Sequence, residues 1–178
     1  MSVPQRTARG PHGARVNLSA FVRNKAATVA EEVRFGWIGV PNAPATSQQL
    51  RGAYARSQRT GDPLPVSNQY CDDTIYAEPS DNVCYRFWHD VTHVQLGLSF
   101  GLDDELELAI HHLDVLHAAG FPRGSLESDL LKTDLLGQIY LVGIAGRFPF
   151  NQGEFTRTCI ELGLEAGLLH EIRKVAQP

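Results

Sequence analysis

The second half of this chain is a run of helix-periodic segments separated by short breaks, and that pattern restricts the fold more than any motif does. Ser80 or Asp81 can cap a helix running to about Leu98, and Asp103 and Asp104 lie in the first turn of another that reaches Ala119, where Gly120 and Pro122 stop it. Ser125 opens a third, ending near Gly146. Asn151 with Glu154 has capping-box spacing before a last helix that carries Arg173 and Lys174 at its end. Four consecutive helices with short connections become antiparallel neighbours in a bundle.

The first half adds two more. Residues 18–35 have helix-forming composition, and GWIGVPNAP ends that pattern with two glycines and two prolines. A further helix is expected over residues 46–57, followed by a polar, Pro-rich loop over 60–82 in which residues 74–76 can pair as a short strand. Loops of that length in compact domains are often functional or cover a site. Residues 1–16 are rich in Arg, Gly and Pro without periodic apolar positions, the signature of a disordered arm. The expectation is an all-α bundle of about five to six helices: a flexible Arg-rich arm over 1–16 and a single helical domain over 17–178 that includes the Pro-rich loop.

Composition closes off several classes of function. At 178 residues the chain can bury a true core, and its 43% apolar and 20% charged residues are ordinary for a globular protein. No apolar run approaches the roughly 18 residues of a membrane span, so no membrane partner is expected. Cys71, Cys84 and Cys159 show no CxxC spacing and are odd in number, which points to a reducing, cytoplasmic setting rather than a disulfide framework. The net charge of −4 hides an asymmetry: residues 1–59 hold nine Lys/Arg against Glu31 and Glu32 alone. The basic third is expected to fold onto the acidic body or onto a neighbouring subunit of a homo-oligomer. The alternative, an arm for nucleic acid, ranks below it because no nucleic-acid module accompanies the charge.

The chemistry concentrates in FWHDVTH. His89 and His93 stand four residues apart, about 40° apart in helical projection, so both imidazoles can point at one ion. Val83, Phe87, Val91, Val94 and Leu98 form an apolar stripe away from them, while Tyr85, Trp88 and Leu96 favour a helix covered on both sides with the histidines facing a polar pocket. In the next segment Leu102, Leu106, Ala109, Leu113 and Leu116 read as the core stripe, with Glu105 and His112 at its edge. A carboxylate in that position needs a partner or a cation. Glu105 and His112 are about 10 Å apart along the axis, able to approach one ion from two sides, or one could stand behind another ligand. His111 shares a solvent-facing side with Glu107 and Asp114 and is the alternative to His112; His117 reads as a hydrogen-bonded core histidine. Asp134 projects among Leu130, Leu141 and Ala145 on a segment that is apolar nearly all round, where its charge needs pairing or a metal. The candidate ligands are therefore His89, His93, Glu105, His112 and Asp134, a set suited to zinc, iron or manganese, with Asp90 or Glu105 as proton acceptor.

HDVTH resembles the zincin signature HExxH, with Asp90 in the place of the family's glutamate. The resemblance implies zinc on His89 and His93 and general-base work at Asp90; it covers five residues and does not extend to peptidase activity. The His-Asp pair also looks like the centre of HD-type phosphohydrolases, but their additional upstream helical histidine has no counterpart here except His12, inside the expected arm. The paired ExxH motifs of ferritin-like di-iron bundles and a GxxxxGK phosphate loop are both absent from the sequence. The leading reading is a metal-dependent hydrolase acting on a small molecule. A non-haem iron enzyme that activates oxygen comes second, and a non-enzymatic binding or regulatory protein using the basic arm comes third.

Overall fold

The computed structural model describes residues 10–174. Helix α1 (Pro11–Val33) opens on a proline, whose fixed φ and missing N–H suit a first helical turn, and stops where Arg34 takes the left-handed conformation at φ 65°. Its start corrects the expected arm. Gly13 and Ala14 are buried, and Arg15 donates to the backbone carbonyls of Thr74 at 3.3 Å and Tyr76 at 2.5 Å. Residues 11–16 are helix held by a long-range contact that no local pattern announces; the rest of the expected arm, 1–9, lies outside the described residues.

Strand β1 (Trp37–Val40) leads into helix α2 (Ser47–Thr60), which a Thr46/Gln49 capping box starts and Gly61 ends. Strand β2 (Leu64–Ser67) then pairs in parallel with β1, Trp37 opposite Leu64 and Val40 opposite Ser67, with α2 as the crossover. The Pro-rich stretch does contain a strand, but earlier than the expected 74–76. Leu64 and Val66 are buried in alternation, whereas Thr74, Ile75 and Tyr76 are buried as irregular chain.

The remaining helices are α3 (Pro79–Leu96), α4 (Leu102–Ala118), α5 (Leu126–Ala145), α6 (Gln152–Leu162) and α7 (Leu164–Arg173). With seven helices and one two-stranded sheet among the described residues, the fold is a predominantly α-helical bundle. The single last helix read from the sequence is in fact two. Gly163, at φ 90°, breaks it, and α7 packs back on α6 so closely that a Cβ on Gly167 would stand 2.6 Å from Cys159 Cα.

Helix α3 lies at the centre, packed against α1, α2 and β2, while α4 lies along α5. Phe87, Trp88 and Val91 are buried on α3, each such side chain stabilising the fold by about 1.5–3 kcal/mol. Phe21 of α1 meets Trp88 edge-on at 5.6 Å. Two further basic residues of α1 engage the body: Arg23 pairs with buried Asp81 at 2.6 Å, and Lys25 stands 5.9 Å from the Trp88 ring centroid. No described helix is long and apolar enough to cross a membrane.

The rotation of α4 departs from the expected stripe. Leu102, Leu106 and Ile110 are exposed, while Leu108, Ala109, His112 and Leu116 face inward. Glu105 thus stands one turn before Leu108 and Ala109 on the inward face, not at its edge. This segment carries apolar residues on two sides, and docking against α5 chose between them.

Candidate metal centre

Helix α3 supplies one i, i+4 row that runs Tyr85, His89, His93. At its N-terminus the Asp81 N–H donates to the Glu78 carbonyl at 3.0 Å, and the Asp81 carboxylate accepts from Glu78 N–H at 3.1 Å. Gly97, in the left-handed conformation, ends the helix one turn after His93 and lets the chain turn into α4. That turn carries Glu105 back over the two histidines.

The result is a close group of three acceptors. His89 Nε2 and His93 Nε2 are 3.0 Å apart; Glu105 Oε1 is 3.3 Å from His93 Nε2, and Glu105 Oε2 is 3.7 Å from His89 Nε2. Donors about 2.0–2.1 Å from a tetrahedral ion stand about 3.3 Å apart, so these separations bracket the spacing that a single cation imposes. The three side chains can hold a metal ion. His93 is only 1% exposed, but His89 at 21% and Glu105 at 26% open the group to the surface. Phe100, on the α3–α4 turn, stands edge-on to the His93 ring at 4.9 Å.

The protonation states suit a cation. Burial pushes the His89 imidazole down to about 4, against the opposing pull of Glu105, so it is neutral near pH 7. Burial works to raise the Glu105 carboxyl, yet its contact with His93 and the nearness of His89 outweigh burial and hold it below its ordinary value. A neutral imidazole and an ionised carboxylate are the forms that ligate. Asp90, beside His89 on α3, is pushed up to about 7 by burial, against the charges of His93 and Arg86.

The other two residues read as ligands sit elsewhere. His112 is fully buried on α4, and its Nε2 lies 3.2 Å from His89 Nδ1, the ring nitrogen opposite the one that faces Glu105. It stands behind the group, lodged against Trp88 with ring centroids 4.1 Å apart and beside Tyr85. Asp134 is buried on α5, apart from the group, and accepts from Gln152 Nε2 at 2.9 and 3.0 Å and from Thr156 Oγ1 at 2.9 Å. Those donors come from α6 and answer its charge; burial nevertheless raises it to about 6. His111 is half-buried and Glu107 exposed, and neither joins the three acceptors. His117 is the hydrogen-bonded histidine expected, its Nε2 2.9 Å from Ser128 Oγ.

Sequence reasoning passed over Tyr85 as a member of the site. Its hydroxyl lies 3.2 Å from His89 Nδ1, and burial raises its pKa well above the usual value, so it stays a neutral phenol. The signal was present: Tyr85 precedes His89 by the same four residues that separate His89 from His93. Comparison with protein-family models, with curated proteins and with solved structures finds no match to this chain.

Proposed function

We propose that this protein is a metal-dependent hydrolase in which His89, His93 and Glu105 bind a divalent cation and Asp90 accepts a proton from the attacking water. The observation that carries this reading is the convergence of three acceptor atoms from two helices, at 3.0–3.7 Å from one another, with no donor side chain of the described residues bonded to Glu105 other than the histidines. A two-histidine, one-glutamate set is a known hydrolytic zinc environment that leaves a coordination position open. The cation would supply acidity to a bound water and polarise the substrate. The chain's own residues do the rest: Glu105 adds negative charge that favours the cation, and Asp90 is a carboxylate whose affinity for protons lies near neutrality.

Elemental analysis of tag-free protein tests the first half of this proposal, with about one zinc per chain as the expected result. For the second half, hydrolysis of 4-nitrophenyl acetate and bis(4-nitrophenyl) phosphate is compared between wild type and Asp90→Asn. The variant is expected to keep its metal and lose roughly 10²–10⁴-fold in rate. Below about pH 7 the wild-type rate is expected to fall as Asp90 takes up a proton, with the cation drawing that midpoint down. Absence of stoichiometric metal in protein reconstituted with zinc overturns the reading.

A second reading rests on the same triad, because two histidines and one carboxylate also form the set that holds ferrous iron in oxygen-activating enzymes. Iron as the bound metal, with an optical change when the ferrous protein meets oxygen, would select it.

A further inference from the structure

The three candidate ligands account for one nitrogen of His89 and leave the other to be explained. Nδ1 of this ring faces two groups, the Tyr85 hydroxyl and His112 Nε2, each at 3.2 Å. Resting on the metal-centre reading, the geometry points to His112 as the positioning residue of that centre, a buried acceptor that holds the His89 ring with Nε2 turned to the cation.

Helix α4 touches His89 at both ends of its ring. Glu105 approaches Nε2 and, seven residues later, His112 approaches Nδ1. Those two residues are about 10 Å apart along the helix axis, a span that accommodates an imidazole with a contact on either side. Rotation of the His89 side chain about its Cβ–Cγ bond would break both contacts together, so α4 sets the ring's orientation as well as contributing a ligand.

Chemistry then assigns the direction of the hydrogen bond. An imidazole that ligates through Nε2 must carry its proton on Nδ1, and a buried N–H needs an acceptor. In the tautomer that carries its proton on Nδ1, the neutral His112 ring has a free lone pair on Nε2. His112 Nε2 takes that part. Accepting there places the His112 proton on Nδ1, which is buried without a protein partner, so this tautomer leaves one N–H unmet. It is selected by the demand of the His89 Nδ1–H across the 3.2 Å contact, with Trp88 and Tyr85 packing the ring from two directions. Tyr85 is placed by the local helical spacing alone, whereas His112 arrives with the same helix that brings Glu105 and so reports correct docking of α4.

The test uses Co(II) and Zn(II) as probes on the full chain. Groups behind a metal-bound histidine are worth about 10–100-fold in metal affinity, and His112→Leu is expected to weaken Co(II) binding by that factor. His112→Gln sets an amide oxygen near the position of Nε2 and is expected to restore most of the affinity, while His112→Asn, whose amide matches Nδ1, is expected not to. A merely structural role would order these variants by their melting temperatures instead. Imidazole ¹⁵N spectra of the wild type decide the matter independently of any variant's folding: on adding Zn(II), His89 should carry its proton on Nδ1, and His112 Nε2 should show the shift of a hydrogen-bond acceptor. Stoichiometric metal binding by the wild type with His112 signals unmoved, or with His112→Leu binding as tightly, overturns this assignment alone. Failure of the wild type to bind either metal overturns the metal centre itself and the assignment with it.

Discussion

Glu105 and Asp134 look alike in the sequence, each an acid projecting onto an apolar helix face, and the structure gives them opposite surroundings. Asp134 on α5 is met by donors, the Gln152 amide and the Thr156 hydroxyl, and its lone pairs are answered within the protein. Glu105 on α4 is met by two imidazole nitrogens that can be acceptors themselves, at 3.3 and 3.7 Å. One site is closed and the other has a surplus of lone pairs aimed at a common point. Such a surplus needs protons or a cation, because acceptors without donors repel in a medium of low dielectric. A buried carboxylate by itself therefore says little, and the sign of its neighbours tells a structural acid from a ligand.

The largest effect that can break this contrast is loss of a ligand. His89→Ala and His93→Ala are each expected to abolish tight metal binding, with the double variant little worse than either, because the donors act as a unit. Free metal at about 100 times Kd stabilises a native state by about 2.7 kcal/mol, roughly 5–10 °C in a domain of this size. Chelation should lower the wild-type melting temperature by that order and leave His93→Ala nearly unmoved; equal responses would sink the site.

The next effect tests the closed site. Asp134→Leu strands the buried Thr156 hydroxyl and is expected to cost about 1–3 kcal/mol in stability while leaving metal occupancy at the wild-type level. A loss of metal would return Asp134 to the ligand set. Asp134→Asn sharpens the point through pH. The folded-state pKa of about 6 lies above the ordinary 3.8, so ionisation is harder in the fold, and wild-type stability from this group declines as pH rises from about 4 to about 6. Asparagine does not titrate, and the stability gap between wild type and Asp134→Asn should therefore be widest near pH 4 and narrow by about 3 kcal/mol at pH 7. His89 in the metal-free protein has the opposite sign: its pKa of about 4 lies below 6.5, so its contribution grows over that interval. Urea midpoints for both proteins across that range measure the difference, in which the His89 contribution cancels.

The smallest effect separates two adjacent histidines. His111→Ala is expected to change stability by no more than about 0.5 kcal/mol and metal affinity not at all, because its ring lies outside the triad whereas His112 backs the His89 ring at 3.2 Å. A tenfold loss of Co(II) affinity in His111→Ala would mean that α4 docks in a different rotation.

Local sequence is enough for whatever depends on neighbours a turn away. The cofacial pair His89 and His93 follows from helical geometry alone, and the caps at Thr46, Ser125 and Asn151 follow from side-chain oxygens meeting N–H groups two or three residues on. The gross class, a helical bundle, came from the same local periodicities. Tertiary structure decided whatever needed two distant segments to meet. Helix α4 has apolar residues on two sides, so periodicity could not rank the Leu102, Leu106, Ile110 side against that of Leu108, Ala109, Leu116; packing against α5 and Trp88 buried the second, which aimed Glu105 at the histidines and set His112 behind them. Asp134 was settled by donors 18 and 22 residues downstream. Residues 11–16 were settled by the carbonyls of Thr74 and Tyr76, which Arg15 reaches across 59 and 61 residues of chain. Helix propensity and capping act over one turn, whereas the identity of a metal ligand depends on which side chains share a few ångströms of space, and only the packed fold specifies that.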